Sequence, residues 1–303
     1  MTAPKLLWHI EGGVTAGFDE LGETWSTPSL SKIRESDGTL TDVLVFGGGY
    51  DDDRYDLDAD DPDDGVSIGR AVYVVEALTG TRRWAIGPAG TAETYDLELA
   101  SLEDSIPGEV RILDLYDDGV MDRLYFADIR GRIFRADFSN TATATSYYGG
   151  GLIASLTDTS SCNWMASPNS CRLFYNSLDV AVMTGFPVAP YIQLAMGSGF
   201  RAHPKNLQTQ DRFYVVYGCF SNSPPFDGKD FQRGARCVPA SAQALVLQPS
   251  PSWHRAGVGF VSPFGSSTWA KTERRNEIWK STQTYIYTSR SSAAATQTQS
   301  SGR

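Results

Sequence analysis

The clearest chemistry in this sequence sits in one short stretch, Asp114-Leu-Tyr-Asp-Asp-Gly-Val-Met-Asp122. Counted from Asp114, carboxylates fall at positions 1, 5 and 9, a glycine at position 6, and Val120 at position 7, where a backbone carbonyl serves. Calcium is a hard cation that takes about six to eight oxygens, and this spacing wraps them round one point because the glycine permits a sharp turn. The candidate ligands are therefore Asp114, Asp118 and Asp122 through their carboxylates and Val120 through its carbonyl. Tyr116 stands at position 3, where Asp or Asn is usual. A phenol is a poor calcium ligand, so the Tyr116 carbonyl, a water or Asp117 must fill that place, and affinity falls. Position 12 is Tyr125 instead of a bidentate Glu, and no helix signal flanks the loop. The bland alternative is a solvated acidic turn without a metal.

A second acidic stretch, residues 51–65, holds nine aspartates, and Asp56, Asp58, Asp60 and Asp64 repeat the 1, 3, 5, 9 spacing. It has Asp61 where the glycine belongs and Pro62 next to it. A charged, solvated loop is the favoured reading, with a weak cation site as the alternative. The histidines, His9, His203 and His254, are far apart in sequence, and no nucleophile elbow or phosphate loop is present. His203 reads as a loop hydrogen-bonding residue, Gly47-Gly48-Gly49 as an edge turn, and nothing demands an enzyme.

Short strands must position these residues. Apolar runs of four to eight residues, with 29 Gly, 14 Tyr, 14 Phe and 7 Trp in 303 residues, leave little room for long amphipathic helices. The metal loop is caught between two such runs, Val110 to Leu113 and Arg123 to Ile129. Three stretches resemble one another as strand, loop, strand. They are Val43–Gly49 with Gly69–Ala77, Val110–Leu115 with Asp122–Asp128, and Ile192–Gly199 with Asp211–Gly218. Turns at Asp37-Gly38, Thr79-Gly80 and Arg130-Gly131 punctuate them. Tyr73, Tyr125 and Tyr214 take matching places in the three stretches, and spacings of 52 and 89 residues fit one and two blades of a propeller at ~40–50 residues per blade. The expectation is an all-β, modified quinoprotein-like β-propeller over residues 1–288. Six or seven blades fit by length, with a divergent or incomplete last part. Beyond Gly218 only Ala244 to Leu247 and Val258 to Val261 look able to join a sheet, and residues 289–303 read as a disordered tail.

Charge and cysteines bound the setting. The net charge is −10, divided as −16 over residues 1–218 and +6 from Cys219 onward. So acidic a body repels nucleic acid and gathers cations. No apolar run is long enough to span a membrane, so no direct membrane insertion is expected. Cys162, Cys171, Cys219 and Cys237 read better as two loop-closing disulfides than as a zinc site. That favours an exported piece of a longer precursor over a cytosolic chain with free thiols.

Four motifs carry a family resemblance. VLVFGGGYD (Val43 to Asp51), the strand and turn Gly69-Arg-Ala-Val-Tyr-Val-Val-Glu-Ala-Leu-Thr-Gly80, DGVMDRLYFADIRGRIFR (Asp118 to Arg135) and GSGFRAHP with QDRFY (Gly197 to Pro204, Gln210 to Tyr214) resemble the C-terminal domain of the PilC/PilY family of type IV pilus biogenesis proteins, clearest over residues 25–218. The resemblance implies a quinoprotein-like propeller, exported to the periplasm, outer membrane or pilus tip. It implies Ca2+ in the Asp114–Asp122 loop tuning pilus extension against retraction, with pilus components such as minor pilins, or a host or surface receptor, as partners. In quinoprotein repeats a tryptophan such as Trp84 packs between neighbouring blades. The alternatives are a quinone-dependent dehydrogenase, disfavoured because no two cysteines here are adjacent, and a generic protein- or carbohydrate-binding propeller.

Overall fold

The computed structural model describes residues 5–56, 67–140, 145–157, 172–183, 191–205, 209–219, 245–247, 260–262 and 265–267. The chain divides into two compact units, Met1–Gln248 and Pro249–Arg303. That division falls inside the span the sequence reads as one domain. The 289–303 tail, residues 57–66 and Cys162, Cys171 and Cys237 lie outside the described residues, and the disulfide reading lies there with them.

The described residues of the first unit form three successive, mainly antiparallel sheets. Sheet one orders β1 (Ser29–Arg34), β2 (Leu40–Gly47), β3 (Val72–Glu76) and β4 (Arg82–Pro88) side by side, with β5 (Leu97–Leu99) added parallel to β4. Sheet two is the meander β6 (Arg111–Leu113), β7 (Arg123–Ala127), β8 (Arg132–Asn140) and β9 (Thr145–Ser155). Sheet three is β10 (Asp179–Met183), β11 (Tyr191–Gly197), β12 (Phe213–Cys219) and β13 (Leu245–Leu247). One turn of helix, α1 (Asp52–Tyr55), follows β2. The second unit contains a two-stranded hairpin, β14 (Phe260–Ser262) with β15 (Gly265–Ser267). Strands β13 and β14 fall on the two late segments that the sequence marks as sheet-competent. Among the described residues no helix is long and apolar enough to cross a membrane.

Alternation along the strands decides how the sheets stack. Val72 and Val74 of β3 point into one core, shared with Leu124 and Phe126 of β7 and Phe134 and Ala136 of β8, while Tyr73 and Val75 point the other way. Tyr125, Ala127 and Ile133 face a second core, completed by Ile192, Leu194, Met196, Tyr214 and Val216 of sheet three. Sheet two is thus buried on both faces, which is why β7 is apolar at almost every position instead of at every second one. The outer face of sheet one is covered by Phe18, with Trp8, Ile10 and Leu21 of the N-terminal segment against it. Trp84 on β4 lies between sheets one and two, its ring 5.2 Å from that of Phe138.

Two readings of the repeats need correction. The first strands of the three sheets begin at Ser29, Arg111 and Asp179, so successive sheets start 82 and 68 residues apart, longer than the ~40–50 assumed for a blade, because long connections separate the strands. A count of six or seven rested on the shorter period, and the described residues of the first unit form three such sheets. The three tyrosines are also not equivalent. Tyr73 and Tyr214 lie on third strands, whereas Tyr125 lies on the second strand of its sheet and faces sheet three. Sheet one and sheet three each carry a strand before the stretch that resembles the other units, and sheet two carries its extra strand after it.

Candidate functional site

The Asp114–Asp122 loop joins β6 to β7, in the hairpin that the sequence predicts. Its backbone is wound around Asp114. That carboxylate accepts from the amides of Tyr116 at 3.2 Å, Asp118 at 3.2 Å and Gly119 at 2.7 Å. Two residues provide the tight turn, Gly119 with φ 79° and Asp117 with φ 58°. Asp is among the few side chains that tolerate the left-handed region. Asp118 caps the amide of Val120 at 3.0 Å, and its other oxygen lies 3.6 Å from the Arg34 guanidinium on β1. Asp122 is buried and accepts from the amide of Leu115 at 2.6 Å, while Met121 N–H donates to the Lys32 carbonyl at 3.1 Å. The loop is thereby anchored to the first strand of sheet one.

The donor set suits calcium in kind: three carboxylates and main-chain carbonyls, all hard oxygens. Tyr116 is 63% exposed and Val120 fully buried, so any contribution from either to a cation in the loop comes through its carbonyl. The carboxylates are held by the loop's own amides, and among the described residues no three His, Cys, Asp or Glu side chains are gathered into a metal cluster. The structure therefore places Asp114, Tyr116, Asp118, Val120 and Asp122 in one loop without drawing their oxygens to one point.

A second constellation was not visible in the sequence. The GGGYD and GSGFRAHP motifs lie about 150 residues apart, yet they meet. Tyr50 and Phe200 share a buried cluster with Tyr55, Ile129, Leu173 and Tyr175. Trp25 stacks on Tyr50 at 4.3 Å, and the Arg201 guanidinium lies 4.9 Å above the Trp25 ring. His203 sits edge-on to Phe200 at 4.9 Å, and its Nε2 is 2.5 Å from the Asp56 carbonyl, the loop hydrogen bond expected of it. The triple glycine is not an edge turn. A Cβ on Gly48 would lie 2.6 Å from the Gly69 carbonyl, and one on Gly49 2.3 Å from that of Glu23. Bare backbone is required because Glu23 pairs with Tyr50 and Ile106 with Gly49 across it. Asp51 then caps α1 at the Arg54 amide and also holds the Ile68 amide at 3.1 Å. Burial raises its carboxyl above the usual range.

A belt of charge, buried except for Glu103, runs beside this cluster. Arg132 donates to Asp128 and Asp104 at 2.5 Å each and to Glu103 at 2.6 Å, and Tyr55 donates to Asp104 at 2.6 Å. Burial pushes the Asp128 carboxyl up to about 7 against the pull of Arg132, with the neighbouring Asp104 charge adding to the rise. Next to the belt, Tyr175, Asn176, Phe200, Arg201, His203 and Asp211 help to line a cavity of about 280 Å³.

No protein-family model matches this sequence, and no curated protein matches it. Its structure is similar to that of the Pseudomonas aeruginosa PilY1 C-terminal domain. The two share 16% sequence identity with a TM-score of 0.44, over 73% of this chain and 41% of that one. The chain thus spans about two fifths of the matched structure's length.

Proposed function

We propose that this chain is a calcium-binding, non-catalytic propeller region of an exported type IV pilus protein, acting in the balance of pilus extension and retraction and in surface attachment. The three stacked meanders would be consecutive blades, and a minor pilin or a surface receptor the partner. The observation that carries the calcium reading is the winding of the β6–β7 loop, whose amides already organise Asp114, Asp118 and Asp122. The pilus reading rests on the sequence motifs. It is supported by their convergence, since residues that carry the resemblance build one cluster around Tyr50, Trp25 and Arg201.

Asp114, Asp118 and Asp122, with the carbonyls of Tyr116 and Val120, would hold the ion. Calcium would supply charge neutralisation to three carboxylates that otherwise repel one another at a hairpin tip. Asp118 faces Arg34 on sheet one and Met121 is bonded to Lys32, so ordering of the tip is passed to the contact between the first two sheets.

The test pairs binding with biology. Calcium should raise the melting temperature of the wild-type chain and leave that of Asp122→Ala unmoved. In the native host, removing the protein should reduce surface pili, and restoring it as the Asp114→Ala, Asp122→Ala double variant should change pilus number or retraction. Normal piliation without the protein refutes the pilus reading, and an unaltered calcium shift in Asp122→Ala refutes the ligand assignment.

A further inference from the structure

The convergence of GGGYD and GSGFRAHP leaves a polar-rimmed hollow that the calcium reading does not use. Phe200 and Tyr175, both buried, are among its lining residues. The Tyr175 and Tyr50 hydroxyls are buried against each other, and the Ala202 backbone also reaches Tyr175. Burial raises both hydroxyls above their ordinary range, so each stays protonated as a donor.

The rim carries the opposite sign to the body. Residues 1–218 are strongly acidic as a whole, yet the β11–β12 connection presents Arg201, which is exposed, and Lys205, which edges a more open hollow of about 440 Å³ that shares His203 and Pro204 with the first. Among the described residues the Arg201 guanidinium makes one specific contact, its stack over Trp25 at 4.9 Å. A guanidinium held by its face keeps its N–H edge for a forked pair with a carboxylate. Two carboxylates balance these cations, Asp211 and Asp56, the latter 3.7 Å from His203 Nε2. Asp211 lines the same cavity and takes a hydrogen bond from the Ser198 hydroxyl at 3.1 Å. An apolar lining, the exposed Arg201 guanidinium and the Asp211 carboxylate complement an apolar side chain, a carboxylate and an amide N–H. A volume of about 280 Å³ approaches the lower end of the ~300–1,000 Å³ found for ligand sites.

We infer that the Tyr175–Phe200–Arg201–Asp211 hollow binds a carboxylate-bearing peptide segment. Arg201 pairs with the carboxylate, Tyr175 and Phe200 receive an adjacent apolar side chain, and Asp211 accepts a peptide N–H. The carboxylate comes either from a chain end or from an acidic side chain, and both present the same fork to Arg201. The site does not depend on the metal loop.

Titration of the full chain by calorimetry with three short peptides tests this. They are acetyl-Gly-Phe with a free carboxylate, acetyl-Gly-Phe amide, and acetyl-Asp-Phe amide. A dissociation constant of about 1 mM or tighter is expected for one or both acidic peptides, and at least about tenfold weaker binding for the neutral amide. Which acidic peptide binds identifies the source of the carboxylate. Arg201→Gln should weaken binding about tenfold. Arg201→Lys should fall between. The inference is overturned if the neutral amide binds as tightly as the acidic peptides, if Arg201→Gln folds and binds unchanged, or if no peptide gives a saturable signal.

Discussion

Asp118 divides its two oxygens between the Val120 amide and Arg34, and this gives the metal reading a test beyond deleting ligands. An exposed ion pair is worth ~0.2–1 kcal/mol, so freeing Asp118 from Arg34 should tighten calcium binding by up to about fivefold. Arg34→Gln measured by calcium titration checks this, and weaker binding would show that Arg34 helps to build the loop instead of competing for it. Asp128 sets a pH dependence. Its carboxyl rises from 3.8 to about 7 on folding, driven by burial. Between those values the native protein holds a proton that the unfolded chain has released, so this group's contribution to stability is greatest at the acid end and declines as pH rises through the window. Urea midpoints for wild type and Asp128→Asn between pH 4 and 7 should show a steeper decline with pH in the wild type. Parallel curves would mean that Asp128 stays ionised beside Arg132. At this scale the Asp114–Asp122 spacing was legible, because loop chemistry is local in sequence. The Trp25–Tyr50–Tyr175–Arg201 stack was not, because its members share no period and meet only through the fold.

Strands and turns carry their own consequences. Gly131, in the β7–β8 turn, has φ 80°, and a Cβ there would lie 2.4 Å from the Phe174 ring. Gly131→Ala combines left-handed strain of ~1–2 kcal/mol with displacement of an aromatic ring that is 1% exposed. A loss of at least about 2 kcal/mol in urea unfolding is expected. Phe126 and Phe134 stack at 5.2 Å where sheets one and two meet, both fully buried. Phe126→Ala should cost ~3–5 kcal/mol; a loss under ~1 kcal/mol would mean that the two sheets do not share this core. The turns at Asp37-Gly38, Thr79-Gly80 and Arg130-Gly131 were readable because each glycine takes a positive φ that other residues resist. The buried Arg135–Asp137–Arg123 group on β7 and β8 was not, since charged residues in a strand read as solvent-facing until sheet three is known to cover them.

For the whole molecule, an all-β chain of short strands followed from composition and turn signals, and the three sheets are there. The blade period did not follow, because connections such as residues 48–71 and 89–96 lengthen each repeat without leaving a periodic mark in the sequence. Stacking ties the Asp114–Asp122 loop to more than its own residues. It hangs from the two-sided core sheet and touches the first strand of the sheet before it, so a cation bound there would act where two sheets meet. Calcium titration of the purified chain, wild type beside Asp114→Ala and Asp122→Ala, tests that account most directly. One saturable site per chain is expected in the wild type, abolished in both variants while their metal-free folds persist. No binding by the wild type, or undiminished binding by the variants, would contradict it.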